Sequence, residues 1–179
     1  MYRKFRLYSL LCILSYMTVV CLYAYYSYET RKNEITNLID NRLYFGASSI
    51  KYLFAEDFHD RCTSADSISF EEEMENRRRL NGYVKTSPFK WVYTIIEKDG
   101  KYYFAAPTVS EEEAKQRKRW YYYPYDDIPA EFIEAFKTRK KTFVSYSDQW
   151  GHFRSVAIPE ISRNGRVYLS CADLDISSV

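Results

Sequence analysis

Twenty consecutive residues, Leu7 to Tyr26, carry no charged side chain, no proline and no glycine. As a helix they rise about 30 Å, the thickness of a bilayer's hydrocarbon core, so a membrane span is the expected state of this run. Tyr23, Tyr25, Tyr26 and Tyr28 cluster at one end, where an interfacial aromatic belt belongs. Arg3, Lys4 and Arg6 precede the run, whereas Arg31 and Lys32 follow it alongside Glu29 and Glu34. The bias in basic residues assigns 1–6 to the cytoplasm, 7–26 to the membrane and the remainder to the far side. A cleaved signal peptide would have a shorter apolar core and an A-x-A-like site, so an uncleaved anchor is expected.

Beyond Tyr28 the apolar residues change period. Ile35, Leu38, Ile39, Leu43, Ile50, Leu53, Phe54 and Phe58 recur mostly at three- and four-residue steps, which predicts one long helix from Glu29 to about Arg61, running on from the span. Gly46, Ala47, Ser48 and Ser49 interrupt the stripe with small side chains that let another backbone approach, either a sheet or a twin helix in a homodimer. A second, charged helix is predicted from Phe70 to Gly82, with Glu73–Arg77 and Glu75–Arg79 at i,i+4. A solvated helix face explains that charge run; an arginine cluster for an anionic ligand is the sharper alternative.

The remaining chain reads as strands. Trp91 to Glu97 and Tyr102 to Ala106 flank Asp99-Gly100, a strong hairpin signal. Thr142 to Ser147, His152 to Ile158 and Val167 to Ile176 follow, separated by Asp148-Gln149-Trp150-Gly151 and by a break containing Asn164-Gly165. A two-residue turn at Asn164-Gly165 would pair Val156 with Asp173 and Arg154 with Asp175, placing Arg154, Val156, Asp173 and Asp175 on one face. Phe153, Ala157, Ala172 and Leu174 would share the other. On that face Arg154 reads either as a cross-strand ion pair or as a ligand-gripping group. A crossing segment from Pro107 to Lys141, with a helix opened by Ile128-Pro129, joins the two strand groups. The fold class expected is α+β: an N-terminal transmembrane helix continuing into a long helix packed on a five-stranded antiparallel sheet.

The formal net charge of +2 gives no global attraction to nucleic acid. Lys115, Arg117, Lys118 and Arg119 do abut Trp120 to Tyr123, a composition that grips anions or nucleic-acid strands. On an exported domain it suits a small-ligand pocket, or a Tyr-rich loop packed on the sheet. Catalysis finds little support. Asp126 with Asp127 points apart, His59 and His152 stand alone, and Ser147, Asp148 and His152 crowd one hairpin. Neither a metal-ligand spacing nor a phosphate loop is present, so no metal or cofactor is expected. Cys62 and Cys171 form a disulfide or remain two buried thiols.

The order of elements, with YPYDDIPAEFIEAF, FVSYSDQWGHFRSVAIP and GRVYLSCADLDI, resembles the Cache family, PAS-like extracytoplasmic sensor domains of bacterial chemoreceptors, histidine kinases and cyclic-dinucleotide enzymes. The resemblance covers most of 29–176. It implies a single Cache module in the bacterial inner membrane, its bulk periplasmic, that binds an amino acid, amine or short carboxylate beneath the crossing segment and is not an enzyme. Amino-acid-binding members carry an arginine two residues before a tryptophan and tyrosine, and a later aspartate. Trp120, Tyr121 and Asp173 match, while Lys118 stands in place of the arginine. Lysine neutralises a carboxylate without the two-pronged contact of arginine. Tyr146, Arg154 and Tyr168 are further candidates, and Lys118, Trp120, Tyr121, Tyr146, Arg154 and Asp173 form the expected ligand set. No second apolar run follows, which fits either the sensor portion of a longer chain or a chain signalling through a partner. The competing expectation is a membrane-tethered protein–protein interaction module of the cell envelope.

Overall fold

The computed structural model of the protein describes residues 2–148 and 151–177. Contacts divide the chain into two units, Met1–Leu38 and Ile39–Val179, within the first helix α1, Tyr2–Ser49. In the first unit the helix is long and apolar enough to cross a membrane, and side chains such as Leu11, Leu14 and Leu22 are exposed.

The second unit is a sheet between helical layers. Its strands are β1 (Trp91–Lys98), β2 (Lys101–Pro107), β3 (Tyr123–Pro124), β4 (Thr142–Asp148), β5 (Gly151–Ile161) and β6 (Val167–Asp175). They pair antiparallel in the order β3-β2-β1-β6-β5-β4. The sheet thus has six strands rather than five. The additional strand, β3, is two residues long and sits at an edge, where proline is tolerated and no alternation betrays it.

The single helix expected from Glu29 to Arg61 is also corrected. Helix α1 ends at Ser49, a 3-10 turn covers Ile50–Leu53, Phe54 is extended, and a separate helical turn α2 spans Phe58–Arg61. The Ser48 and Ser49 hydroxyls donate back to the Phe45 carbonyl at 3.1 and 2.6 Å, the local bonding by which serine loosens helices. Helix α3, Phe70–Lys85, begins where Ser69 Oγ accepts from the Glu72 N–H.

Asp99 and Gly100, at φ of 52° and 75°, make the tight turn expected between β1 and β2. The expected turn between β4 and β5 includes Gln149 and Trp150, which lie outside the described residues. Between β5 and β6 the last pair is Ile161 with Val167, so the loop has five residues, 162–166. Ser162 anchors it through the Arg166 N–H, and the Asp60 carboxylate, from α2, accepts from the Asn164 N–H at 3.1 Å. The register consequently moves by one residue: Ser155 faces Asp173 and Arg154 faces Leu174. A one-residue slip exchanges the faces. Arg154 and Val156 lie with Ala172 and Leu174, whereas Phe153, Ser155 and Ala157 lie with Asp173 and Asp175.

One sheet face buries Val92, Ile96, Val156 and Ala172 beneath Leu43 and Ala47 of α1, Phe58 and Leu80. The other buries Tyr93, Ile95, Ala157 and Leu169 against Phe132, Ala135 and Phe136 of helix α5, Ala130–Thr138. Cys62 belongs to the first layer and Cys171 to the second, and both are free thiols.

Candidate functional site

The crossing segment leaves β2, forms helix α4 (Glu111–Gln116), passes through β3 and enters α5. Between this segment and the second sheet face lies a cavity of about 340 Å³. The sheet supplies Trp91 and Tyr93 from β1, Phe104 from β2, Tyr146 from β4, Phe153 from β5 and Asp173 from β6. The crossing segment supplies Glu113, Trp120, Tyr123, Tyr125 and Asp127. A neighbouring hollow shares Tyr125, Asp127 and Tyr146 and adds Glu131 and Ser147.

Alternation along the strands places these side chains. Trp91, Tyr93 and Ile95 are the odd-numbered face of β1; Trp91 pairs with Asp173 and Tyr93 with Cys171. Asp173 is only 3% exposed. The Tyr93 hydroxyl donates to its Oδ1 at 3.2 Å and the Tyr146 hydroxyl to its Oδ2 at 3.4 Å. The rings brace one another: Phe104 stacks on Tyr125 with centroids 4.6 Å apart and meets Tyr93 edge-on at 5.6 Å. Burial pushes the Tyr93 and Tyr125 phenols well above their ordinary pKa, and the charge of Asp173 adds to both shifts. The Cys171 thiol is raised by the same two causes. The cavity therefore presents neutral phenols around a carboxylate.

Glu73 of α3 fixes the wall opposite the sheet. It is 5% exposed, and its Oε1 accepts from the backbone N–H groups of Trp120 and Tyr121 at 2.6 and 2.9 Å. Arg77 donates to the same oxygen at 2.7 Å and also to the Lys118 carbonyl at 3.2 Å. Tyr122 adopts a left-handed conformation, φ 60°, beside this anchor. Trp120 and Tyr123 line the cavity, while the Tyr121 and Tyr122 rings join the first layer.

Three of the six side chains expected to form the ligand set, Trp120, Tyr146 and Asp173, stand on the cavity. The structure places the others elsewhere. Lys118 is exposed, and Tyr121 is buried in the first layer with its hydroxyl on Ser67 Oγ at 2.8 Å and the Ser64 carbonyl at 3.0 Å. Arg154 projects from the opposite face, where its Nε and Nη2 donate to the two oxygens of Asp40 at 2.8 and 2.7 Å. Tyr168 likewise faces the first layer, its ring 3.6 Å from that of His59. Trp91, Tyr93, Phe104 and Tyr125 were not part of the expected set. The alternation Trp-x-Tyr at the start of β1 marks a common face, but only the strand order shows what that face meets. Among the described residues no group of three or more His, Cys, Asp or Glu is arranged to hold a metal ion.

No family model matches the chain. No curated protein matches it either. Among solved structures it is similar to the sensory domain of the Campylobacter jejuni chemoreceptor Tlp3 (CcmL) with isoleucine bound, at 13% identity and a TM-score of 0.44 over 80% of this chain and 53% of that one. The complex of the Tlp3 ligand-binding domain with L-valine gives 12% identity, a TM-score of 0.45 and the same coverages. The ligand-binding domain of the Pseudomonas aeruginosa PAO1 amino acid chemoreceptor PctC with GABA gives 12% identity and a TM-score of 0.36 over 79% of this chain and 64% of that one. The chain spans about half the length of the Tlp3 domain. Sensory domains of bacterial chemoreceptors are what this chain is similar to, over four-fifths of its length.

Proposed function

We propose that the chain is a membrane-anchored extracytoplasmic sensor domain that binds a small polar metabolite in the cavity over β1, β2 and β6 and signals across the membrane. The observation that carries this reading is the cavity itself. It is open, aromatic-walled, and floored by a buried carboxylate held between two phenolic hydroxyls. Ligand sites have this character, apolar walls with a few converging polar groups. The resemblance of the crossing segment and last three strands to the Cache family supports the same reading, as does the apolar N-terminal helix. An interaction module of the envelope would have no use for such a cavity and would be expected to fill it.

In this reading Trp120, Tyr146 and Asp173, joined by Trp91, Tyr93 and Tyr125, contact the ligand, and Asp173 orients it. Signalling requires that the ligand bind one of two conformations more tightly. The test is calorimetric titration of the full chain in detergent micelles with amino acids, amines and short carboxylates. At least one class is expected to bind, and Asp173→Asn is expected to weaken it at least tenfold while the thermal melt stays cooperative. A well-folded chain that binds none of them, or an Asp173→Asn variant that binds as wild type, would overturn the assignment.

A further inference from the structure

The charges around the cavity identify the class of ligand, granted that the cavity is the sensor's binding site. Eight of its fourteen lining side chains are aromatic and three, Glu113, Asp127 and Asp173, are acidic. None of the described lining residues is lysine or arginine. Three arginines of the same unit are engaged in ion pairs away from the cavity. Arg77 and Arg119 are ion-paired with Glu73, and Arg119 also donates to the Ile68 carbonyl. Arg154 is spent on Asp40 across the sheet. Lys118, where amino-acid-binding relatives would carry arginine, is exposed. Arg117 and Lys90 lie against cavity rings, Arg117 at 4.1 Å from the Tyr123 centroid and Lys90 at 5.5 Å from that of Trp91, yet neither lines the cavity.

We propose that the ligand is an organic ammonium ion that carries no carboxylate: an alkyl- or arylamine, or a quaternary ammonium compound. Ring faces attract a cation through their quadrupole, and a carboxylate among them fixes where it sits. Asp173 takes the ammonium while Trp91, Trp120, Tyr93 and Tyr125 enclose it. An amino acid would satisfy Asp173 equally with its amino group. Its own carboxylate, however, would have to be desolvated among rings and three other carboxylates with no lysine or arginine among the lining residues to meet it. The departure at Lys118 and the ion pairs of Arg77, Arg119 and Arg154 thus leave the lining without a two-pronged arginine for a zwitterion's carboxylate.

The experiment is calorimetric titration of the full chain in detergent micelles with three matched pairs: tyramine and L-tyrosine, n-butylamine and 4-aminobutyrate, choline and glycine betaine. Each pair shares its cationic end and differs in the carboxylate. In the pair containing the tightest binder, the amine is expected to bind at least tenfold more tightly than its acid counterpart. Arg117→Ala is expected to leave that ratio unchanged. Equal affinities, or tighter binding of the amino acid, would overturn the inference and leave the sensor reading standing. Heat from none of the six, with a cooperative melt, would overturn the inference, and the sensor reading falls with it if the wider panel of amino acids and carboxylates is silent too.

Discussion

Glu73 is the α3 side chain that holds the crossing segment at Trp120 and Tyr121, and its removal should release that stretch. Substitution by alanine deletes the acceptor of two backbone N–H groups, Trp120 and Tyr121, and leaves Arg77, whose side chain is 12% exposed, without its carboxylate partner. Breaking a buried pair by removing one partner costs about 3–5 kcal/mol. The lost backbone bonds are worth ~1 kcal/mol each, and they overlap with the first figure because the same loop relaxes. Arg119 adds little: its Nε is 3.3 Å from Glu73 Oε2, near enough for attraction but without hydrogen-bond alignment. A loss of ~4 kcal/mol is expected for Glu73→Ala. Glu73→Gln keeps a carbonyl oxygen for the two N–H groups and loses only the charge, so ~1–3 kcal/mol is expected. At ~3 °C per kcal/mol these become drops in Tm of about 12 °C and 3–9 °C. Near-UV circular dichroism of the full chain in detergent reports the aromatic packing directly, unobscured by the helical signal of the long N-terminal helix. Should both substitutions cost the same, and less than ~1 kcal/mol, the carboxylate does not hold the segment.

Three further outcomes are expected. Burial, with the charge of Arg166 adding to it, lowers the His59 pKa from 6.5 to about 3, so the folded protein keeps the ring neutral while the unfolded chain protonates it. That contribution to stability is intact above pH 6.5 and lost as pH falls toward 3, amounting to ~2 kcal/mol by pH 5; the pH dependence of the urea midpoint measures it, and His59→Gln should flatten the slope. A double-mutant cycle on Arg154 and Asp40, a two-pronged and mostly buried pair, should give a coupling of ~1–3 kcal/mol with no change in ligand affinity; weaker ligand binding in Arg154→Ala would return that residue to the site. Gly46→Ala would set a Cβ 2.2 Å from Phe89 Cζ, costing ~1–3 kcal/mol in a chemical melt, and Phe89→Leu should recover part of it.

Strand identities were legible because β-branched and aromatic residues bounded by Asp99-Gly100 and Asn164-Gly165 are local signals. The register between β5 and β6 was not. It is set by a five-residue loop tied to Asp60, about a hundred residues away, and no local pattern records such a bond. The one-residue difference decides which face carries Arg154, and so whether that arginine meets Asp173 or Asp40. The Glu73–Arg77 spacing announced an ion pair in the same local way. That its carboxylate also holds the backbone of Trp120, 47 residues on, depends on how α3 packs beside the crossing segment. The small residues at 46–49 predict the approach of another backbone, a sheet or a twin helix, whereas the neighbour at Gly46 is the ring of Phe89. Tyr93 and Phe104 were readable as strand residues, but their part in the cavity follows from β1 lying centrally beside β6, which is a property of the whole sheet.

The placement of the indoles gives the protein an optical property. The sequence has three tryptophans, and two of them, Trp91 and Trp120, line the cavity from opposite sides, one on the sheet and one on the segment above it. Whatever enters displaces water from both, so the wavelength and yield of their emission should change on occupancy without any attached dye. Replacing Trp150, which lies outside the described residues, by phenylalanine would confine that signal to the cavity walls. Exchanging Trp91 or Trp120 singly would then tell movement of the crossing segment from events at the sheet.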